Sequence, residues 1–472
     1  MDMTNDFKML IGGELVSGSA TFDVVNPATE QVIARAPDAS KEDLDRAVAA
    51  ARTAFPGWAA TPIEMRKAKL NELAGAVFAA AEPLKKLLTS EQGKPLGDAE
   101  FEIMGSAMWL QGAAMLDLPV TVNEDTAERY SETRHVPVGV VGAIAPWNFP
   151  MVLAMFKLGP ALLAGNTVVL KPSPFTPLTT LKFGEIAASI LPPGVLNVVS
   201  GGDQLGPWMT SHPGFDKISF TGSTQTGRRV MASAAATLKR VTLELGGNDP
   251  AIVMPDADVA KVAEKLFWAA FLNNGQICVA TKRLYVHKDV YEPLKEALVA
   301  YAKTVKVGDG AEPGTQIGPI NNRLQYQRVL GLIQDAKDKG YTFLIGGEKS
   351  DAPGYFVPIT IIDNPPEDSR IVQEEQFGPV LPLIKFDDLD DVVARANGTE
   401  YGLGASVWGT DEDAAYALAG RIASGTVWVN ETQHLSPLAA FGGMKQSGVG
   451  VEGGVEGLLE YTNAQTLVRK RG

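Results

Sequence analysis

The one side chain in this sequence with obvious covalent reactivity is a thiol. Cys278 is the only cysteine among 472 residues, and it follows the polar, glycine-containing segment 274–277. A thiolate is a strong nucleophile toward a carbonyl carbon, and a nearby base raises the population of the thiolate. A free cysteine is more often a small buried residue of a protein core. On its own, Cys278 therefore leaves a catalytic and a structural interpretation open.

Two other segments could supply a base and an oxyanion donor. Glu244 ends an apolar segment and precedes Leu245-Gly246-Gly247, which leaves room around a carboxylate that could act as a general base. Asn148 lies in the proline-containing loop 145–150, and a rigid side-chain amide is what an oxyanion site requires. Taken alone, each of these residues more often has a structural role in a turn.

Two segments are candidates for binding a dinucleotide. The segment Phe220 to Thr224 follows a predicted strand and begins a helix near Ser223, so its backbone amides and its serine hydroxyl could meet a pyrophosphate. Lys171 ends another predicted strand, where its amine could bind ribose hydroxyls or simply face solvent. Because no GxGxxG motif accompanies them, an ordinary turn with a serine cap is the commoner arrangement.

Composition and charge argue against several other classes of function. Lys and Arg total 42 against 55 Asp and Glu, a formal net charge of −13, so neither a nucleic acid nor an anionic membrane is an expected partner. A single cysteine cannot form an intramolecular disulfide, and the four histidines lack metal-ligand spacing, so no metal is expected. The N-terminus has no signal-peptide pattern, and prolines interrupt the apolar stretches around 138–165. A cytoplasmic enzyme is therefore expected.

The elements that must position these residues alternate between strand and helix in the region 138–246. The predicted strands are 138–145, 167–171, 195–199, 217–220 and 240–244, and the predicted helices are 151–164, 177–191, 203–210 and 223–236. Strands that are apolar on both faces and separated by helices predict an α/β fold with a doubly wound parallel sheet. Such sheets bind dinucleotides at the carboxyl ends of their strands.

The rest of the chain divides around this region. Residues 1–117 are predicted to complete the dinucleotide-binding domain, with a helix capped by Ser40 and a second helix at 64–81. Residues 247–442 are predicted to form a second α/β domain that carries the cysteine. The polar segment 118–137 is predicted to form a hairpin arm that pairs with a strand in 459–472. A two-faced polar hairpin needs a partner to bury it, which indicates an oligomer.

Seven segments, in this order and spacing, resemble motifs of the aldehyde dehydrogenase superfamily over nearly the whole chain. They are PWNFP (146–150), the strand-ending Lys171, FTGST (220–224), ELGG (244–247), GQIC (275–278), EEQFGP (374–379) and FGGMKQSGVG (441–450). Any one motif is weak, but seven in register outweigh the structural interpretation of each. The resemblance implies an NAD(P)-dependent, non-acylating enzyme in which Cys278 is the nucleophile and Glu244 the base for deacylation. Asn148 and the Cys278 backbone N–H are then the oxyanion donors.

The resemblance also implies which residues contact the cofactor and the substrate. The positions that match the cofactor site are Ile144, Ala145, Pro146, Trp147, Lys171, Ser173, Gly202, Phe220, Thr221, Gly222, Ser223, Leu245, Glu375 and Phe377. The positions that match the substrate pocket are all apolar: Phe149, Leu153, Phe156, Leu272, Ile277, Val279, Leu435 and Phe441. Lys157 and Glu452 match a proton relay of some members, with a surface ion pair as the alternative. The arm and the C-terminal strand match the oligomerisation element, so a homodimer or homotetramer is expected.

The implied reaction is the oxidation of an uncharged aliphatic or aromatic aldehyde to the carboxylic acid, through a thiohemiacetal and a thioester on Cys278. Many NAD-preferring members have Glu three residues after the strand-ending lysine, but here that position is Pro174, so NAD is expected and NADP stays open. His434 could add a polar contact to the pocket or face solvent. Two alternatives remain: a semialdehyde dehydrogenase with a charged substrate, and a catalytically silent relative that binds a ligand or serves structurally.

Overall fold

The computed structural model describes residues 6–351 and 353–472, so residues 1–5 and 352 of the predicted domains lie outside the described residues. Four short strands precede four helices: β1 (Met9–Ile11), β2 (Glu14–Val16), β3 (Ala20–Asn26), β4 (Gln31–Asp38), α1 (Lys41–Ala59), α2 (Ile63–Ala79), α3 (Ala81–Gln92) and α4 (Leu96–Ala114). Ser40 caps α1 as predicted: its hydroxyl accepts from the Asp43 N–H, and the Asp43 side chain accepts from the Ser40 N–H.

The predicted hairpin arm follows, as β5 (Thr121–Asp125) and β6 (Arg129–Pro137), which pair antiparallel. Alternating strands and helices then match the predicted series: β7 (Val140–Ile144), α5 (Pro150–Ala164), β8 (Thr167–Lys171), α6 (Leu178–Ala188), β9 (Leu196–Val198), α7 (Leu205–Ser211), β10 (Lys217–Thr221), α8 (Thr224–Ala235) and β11 (Arg240–Glu244). The five strands are parallel in the order β11-β10-β7-β8-β9.

The register of this sheet decides which residues share its carboxyl edge. Ile144 pairs with both Phe220 and Lys171, and Thr221 pairs with Glu244. The ends of β7, β8, β10 and β11 therefore lie side by side, and the loops that leave them start from one edge. This is the edge at which an open parallel sheet binds its ligands.

Within the described residues, a second α/β unit contains thirteen α-helices and β-strands. They are β12 (Asp249–Val253), α9 (Val259–Phe271), β13 (Thr281–His287), α10 (Lys288–Ala302), α11 (Arg323–Asp338), β14 (Thr342–Ile345), β15 (Thr360–Asp363), α12 (Arg370–Gln373), β16 (Val380–Phe386), α13 (Leu389–Asn397), β17 (Gly404–Trp408), α14 (Glu412–Ala419) and β18 (Thr426–Val429). The sheet order is β14-β15-β16-β13-β12-β17-β18, and every pair except β14–β15 is parallel. Separate apolar clusters cover its two faces. The predicted α/β class is confirmed.

The C-terminal segment returns to the first sheet and to the arm, through β19 (Gly448–Val449), α15 (Gly454–Leu459) and β20 (Thr462–Lys470). β19 pairs antiparallel with β11, and β1 with β2 extends the opposite edge, which gives a sheet of eight strands. β20 pairs with β6 along its whole length, from Thr462 opposite Pro137 to Lys470 opposite Arg129. The predicted partnership of arm and C-terminal strand is confirmed.

Within residues 6–351 and 353–472, no helix is both long enough and apolar enough to cross a membrane.

Candidate active site

A cleft of about 320 Å³ opens between loops at the carboxyl edge of the first sheet and the loops that lead into β13, β16 and β17 at the amino edge of the second sheet. Its walls include residues of both α/β units. The predicted site residues that line it are Pro146, Trp147, Asn148, Leu153, Thr221, Gly222, Ser223, Leu245, Cys278, Glu375 and Phe377. The rings of Trp147 and Phe377 meet across the cleft in a T-shaped arrangement, with 5.3 Å between their centroids.

Asn148 lies in the loop between β7 and α5 and is bonded at both its side chain and its backbone. Its amide nitrogen Nδ2 donates to the Gln276 carbonyl (2.9 Å). Its backbone carbonyl accepts from Lys94 Nζ (2.9 Å) and from Asn273 Nδ2 (3.2 Å). Since residues 273–276 lead directly into Cys278, these bonds hold the amide and the thiol loop together.

A buried ion pair contacts the Asn148 loop and the start of α5. Lys94 Nζ lies 2.6 Å from Glu102 Oε2, and neither side chain is exposed. Glu102 Oε1 accepts from the Met151 N–H (2.8 Å) in the first turn of α5, which satisfies one of the free donors of that helix terminus. No local pattern in the sequence indicates this pair, because its importance depends on contacts with residues 54 and 49 positions away.

Cys278 follows a turn in which three consecutive residues have left-handed backbone conformations. Asn273 and Asn274 have φ values of 49° and 60°, and Gly275 has a φ of 70°. Asparagine tolerates this region better than most residues, and a side chain at Gly275 would clash with the Gly378 carbonyl. The turn ends α9 and brings the half-buried thiol to the cleft.

Burial raises the pKa of the Cys278 thiol to about 12. The charge of Lys282 acts in the opposite direction, whereas the carboxylates of Asp249, Glu375 and Glu244 raise this pKa further. In this arrangement the resting group is a neutral thiol, so a base must accept its proton when it reacts.

Glu244 is the last residue of β11 and is 4% exposed. Neither of its carboxylate oxygens has a hydrogen-bond partner within the described part of the chain. Burial, followed by the nearby charge of Glu452, raises the pKa of Glu244 well above its ordinary value. A carboxyl group whose oxygens are free and whose proton affinity is high fits a general base.

Lys157 and Glu452 form a buried pair, with 2.6 Å between Nζ and Oε1 and exposures of 0% and 1%. The alternative of a surface pair is therefore wrong. Lys157 also donates to Ser219 Oγ (3.2 Å), and the Tyr461 hydroxyl donates to the same oxygen (3.0 Å). The charge of Lys157 lowers the pKa of Glu244, so the pair influences the candidate base. A relay of protons through it stays a prediction.

The remaining predicted cofactor residues lie along the same sheet edge but outside the walls of the cleft. Lys171 is buried, and among the described residues its amine donates only to the adjacent Pro172 carbonyl (3.2 Å). Burial lowers the pKa of Lys171 to about 8. The other residues of this set are Ile144, Ala145, Ser173, Gly202 and Phe220. Their contact with a cofactor stays a prediction.

Most of the predicted substrate-pocket residues gather around the thiol. One apolar cluster contains Cys278 together with Phe149, Leu272, Ile277, Val279, Leu435 and Phe441, and it adds Ala280, Leu403 and Trp428. Phe156 is not in this cluster: its ring stacks on Trp109 in the core of the first unit, 3.5 Å between centroids, so its part in the pocket stays a prediction. His434 is 70% exposed and faces solvent.

Several residues of the site were not singled out from the sequence. Those on the walls of the cleft are Thr224, Gln225, Arg228, Gly246, Gln325, Arg328, Glu400 and Tyr401. Thr224 and Gly246 lie inside quoted motifs, which was the only available signal. The Arg228 guanidinium donates hydrogen bonds to the Glu400 carboxylate (2.8 Å) and to the Gln446 side chain, so its charge already has an acidic partner.

Comparison with known proteins agrees with this geometry. The sequence profile of the Aldehyde dehydrogenase family matches residues 15–467. A probable aldehyde dehydrogenase from a Pseudomonas species is 44% identical over 99% of this chain and 96% of its own length. The phenylacetaldehyde dehydrogenase of Pseudomonas fluorescens is 41% identical over 98% of this chain and 94% of its own. The NAD+ complex of the aldehyde dehydrogenase from Bacillus cereus superimposes with a TM-score of 0.96, at 39% identity over 98% of this chain and 96% of that one. The chain therefore belongs to the aldehyde dehydrogenase family of oxidoreductases.

Proposed function

We propose that this enzyme oxidises an uncharged aliphatic or aromatic aldehyde to the carboxylic acid and reduces NAD(P)+. The observation that carries the proposal is one cleft lined by a thiol and an amide donor, with an apolar cluster and a candidate base beside the thiol. Cys278 and Asn148 line the cleft, and Glu244 is close enough to influence the pKa of the thiol.

The groove beside the thiol fits a nicotinamide dinucleotide. α8 is capped by the exposed Ser223, whose hydroxyl accepts from the Thr226 N–H (3.3 Å), and the first residues of this helix line the cleft together with the cap. The Thr221 hydroxyl oxygen is buried without a partner in the described part of the chain, and the buried Lys171 amine has room for further acceptors. These are donors that a pyrophosphate and a ribose would use. When bound, the dinucleotide supplies the hydride acceptor.

The cofactor preference follows from what lies near Lys171. Pro174 replaces the carboxylate that would bind a ribose 2′-hydroxyl and repel a 2′-phosphate. The Bacillus cereus relative, whose structure is an NAD+ complex, supports NAD. We therefore propose NAD as the cofactor with NADP as a second possible acceptor, and rates with both test this.

The residues of the chain divide the chemistry between them. The Cys278 thiol gives its proton to a base as its sulfur adds to the aldehyde carbon, and the oxyanion of the resulting thiohemiacetal receives a hydrogen bond from Asn148. Loss of hydride from that carbon leaves a thioester on the sulfur. Glu244 then takes a proton from water, which attacks the thioester and releases the acid and the free thiol. The presence of this base favours hydrolysis over transfer to another thiol.

The apolar cluster around the thiol supports an uncharged substrate. The Lys94 amine lies 3.6 Å over the ring of its member Phe149, but this amine is already paired with Glu102 at 2.6 Å, so a second carboxylate on the substrate would compete with an existing partner there. Two arginines line the cleft, but Arg228 is bonded to Glu400, and Arg328 donates to the Glu375 carbonyl (3.0 Å). The relative that acts on phenylacetaldehyde by name supports an aromatic aldehyde.

NADH formation with a panel of aldehydes tests the proposal. Hexanal and benzaldehyde should give higher kcat/KM than succinic semialdehyde, and the reverse order would favour the charged-substrate alternative. The absence of NADH or NADPH with every aldehyde would favour a catalytically silent relative.

Cys278→Ser should abolish turnover while retaining cofactor binding. Glu244→Gln should release one equivalent of NADH and then stop at the thioester.

We also propose the domain and subunit organisation that the sequence indicates. Residues 1–117 and 138–246 form the dinucleotide-binding domain, 247–442 the catalytic domain, and 118–137 with 459–472 the arm. In β20 every side chain after Thr462 is exposed, which supports contact of this arm with another subunit. Sedimentation velocity distinguishes a homodimer or homotetramer from a monomer.

A further inference from the structure

Lys282 lies against the loop that carries Cys278, and within the described part of the chain three carbonyls of residues 277–280 accept hydrogen bonds from its amine. It is the second residue of β13 and is 2% exposed. Its Nζ donates to the carbonyls of Ile277 (2.9 Å), Cys278 (2.6 Å) and Ala280 (3.3 Å). One of these three bonds is therefore made to the nucleophile itself.

The three hydrogen bonds from Lys282 supply donors that the backbone carbonyls of this loop lack. Residues 276–280 connect a tight turn to β13 without regular secondary structure, so their buried carbonyls need partners from elsewhere. An ammonium group has three N–H donors and can satisfy three converging carbonyls from one point. Lys282 therefore fixes the path of the backbone on both sides of the thiol.

The charge of the Lys282 amine has a second effect, because the groups around the thiol are otherwise acidic. Glu375 Oε1 lies 3.7 Å from Lys282 Nζ and also accepts from the Gly247 N–H (3.1 Å). Asp249, the first residue of the neighbouring strand β12, is buried with no partner for its carboxylate among the described residues. The charges that act on the pKa of Cys278 belong to Asp249, Glu375, Glu244 and Lys282, and of these four only Lys282 lowers that pKa.

We propose that Lys282 is a positioning residue for the nucleophile: its ammonium group holds the Cys278 loop by three carbonyls and stabilises the thiolate against three surrounding carboxyl groups. The inference rests on the proposed function, in which Cys278 attacks the aldehyde. Lys282 acts on the thiol indirectly, through the conformation of the loop and through the electric field of its ammonium group. No contact among the described residues places its amine against the reacting carbon.

Alkylation of the thiol tests this without substrate or cofactor. Because Cys278 is the only cysteine, the rate of its modification by iodoacetamide reads this one group. We compare Lys282→Gln, which removes the charge, with Lys282→Arg, which changes the carbonyl bonds but keeps the charge. Lys239→Met is the matched control, because Lys239 is also buried and donates to two carbonyls, those of Thr210 (3.0 Å) and His212 (2.8 Å), away from the cleft.

At a fixed mildly alkaline pH, the thiol of the Lys282→Gln variant should be alkylated at least about tenfold more slowly. Removal of a nearby opposite charge should raise the pKa of Cys278 by about one unit or more. Lys282→Arg should lose less than about threefold, since a charge remains near the thiol. Lys239→Met should match the unmodified protein. Circular dichroism of each variant verifies that it is folded.

Two results would overturn the proposal. A folded Lys282→Gln variant that alkylates at the unmodified rate would show that the amine does not act on the thiol. If Lys282→Arg were as slow as Lys282→Gln, packing rather than charge would explain both. Failure of the proposed function itself has a different signature: the unmodified protein would form no NADH with any aldehyde, whereas the alkylation series would still show the effect of Lys282.

Discussion

Replacing Asn148 with alanine isolates the oxyanion contribution of its side-chain amide, because the side chain and the backbone of this residue have separate partners. The backbone carbonyl accepts from Lys94 (2.9 Å) and Asn273 (3.2 Å), and alanine keeps both bonds. Only the bond from Nδ2 to the Gln276 carbonyl (2.9 Å) disappears from the folded state, a net loss of about 1 kcal/mol. The variant should therefore fold.

The loss in catalysis should be larger than the loss in stability. Removing one donor from an oxyanion site lowers kcat by about 10²–10³, equivalent to about 2.7–4 kcal/mol of transition-state stabilisation. KM should change much less, because the amide bonds most strongly to the oxygen after the thiol has added. Stopped-flow measurement of the first turnover of NADH, with thermal unfolding in parallel, separates the two effects. A variant with unmodified stability and a first-turnover rate within about threefold of the unmodified rate would refute the role of Asn148.

Three more predictions follow from buried groups and from the arm. Lys94→Met leaves Glu102 buried without its 2.6 Å partner and should lower the free energy of unfolding by about 3–5 kcal/mol, measured by urea denaturation; a loss below about 1 kcal/mol would contradict this. The raised pKa of Glu244 means that the base becomes available only as pH rises through that pKa, so thioester hydrolysis should keep accelerating with pH above the range in which an ordinary carboxyl group is already ionised. Single-turnover deacylation measures this, and a flat profile would remove Glu244 as the base. A chain that ends at Tyr461 lacks β20 and should sediment as a smaller species; an unchanged sedimentation coefficient would exclude the arm from the interface.

The order and kind of the elements could be predicted because their signals are local. The strands at 167–171 and 240–244 begin and end where the sequence predicted, since each has three central residues that are β-branched or leucine between polar end residues. The arm was predictable for a different reason: its alternating polar pattern has no buried face. Its partner, β20, is more than three hundred residues away and was suggested only by its similar pattern.

The supporting residues of the site could not be predicted, because their partners are distant in sequence. Lys94 contacts a backbone carbonyl 54 positions away, and Glu102 reaches an N–H 49 positions away. Neither residue differs locally from a surface lysine or glutamate on a helix. Lys157 and Glu452 are 295 positions apart, and only the resemblance brought them together. Burial of a charged group is a property of the assembled fold rather than of a segment.

The two loops that carry the chemistry are supported in the same way, which indicates a common physical need. Lys94 donates to the carbonyl of Asn148, and Lys282 donates to the carbonyl of Cys278 and to two of its neighbours. Both loops leave regular structure in order to present a side chain, so their carbonyls lose the partners that a helix or strand would supply. A buried lysine restores those bonds, and a nearby carboxylate balances its charge: Glu102 at 2.6 Å in one case and Glu375 at 3.7 Å in the other. The longer distance leaves more of the charge of Lys282 uncompensated, and that loop is the one on which a thiolate must form.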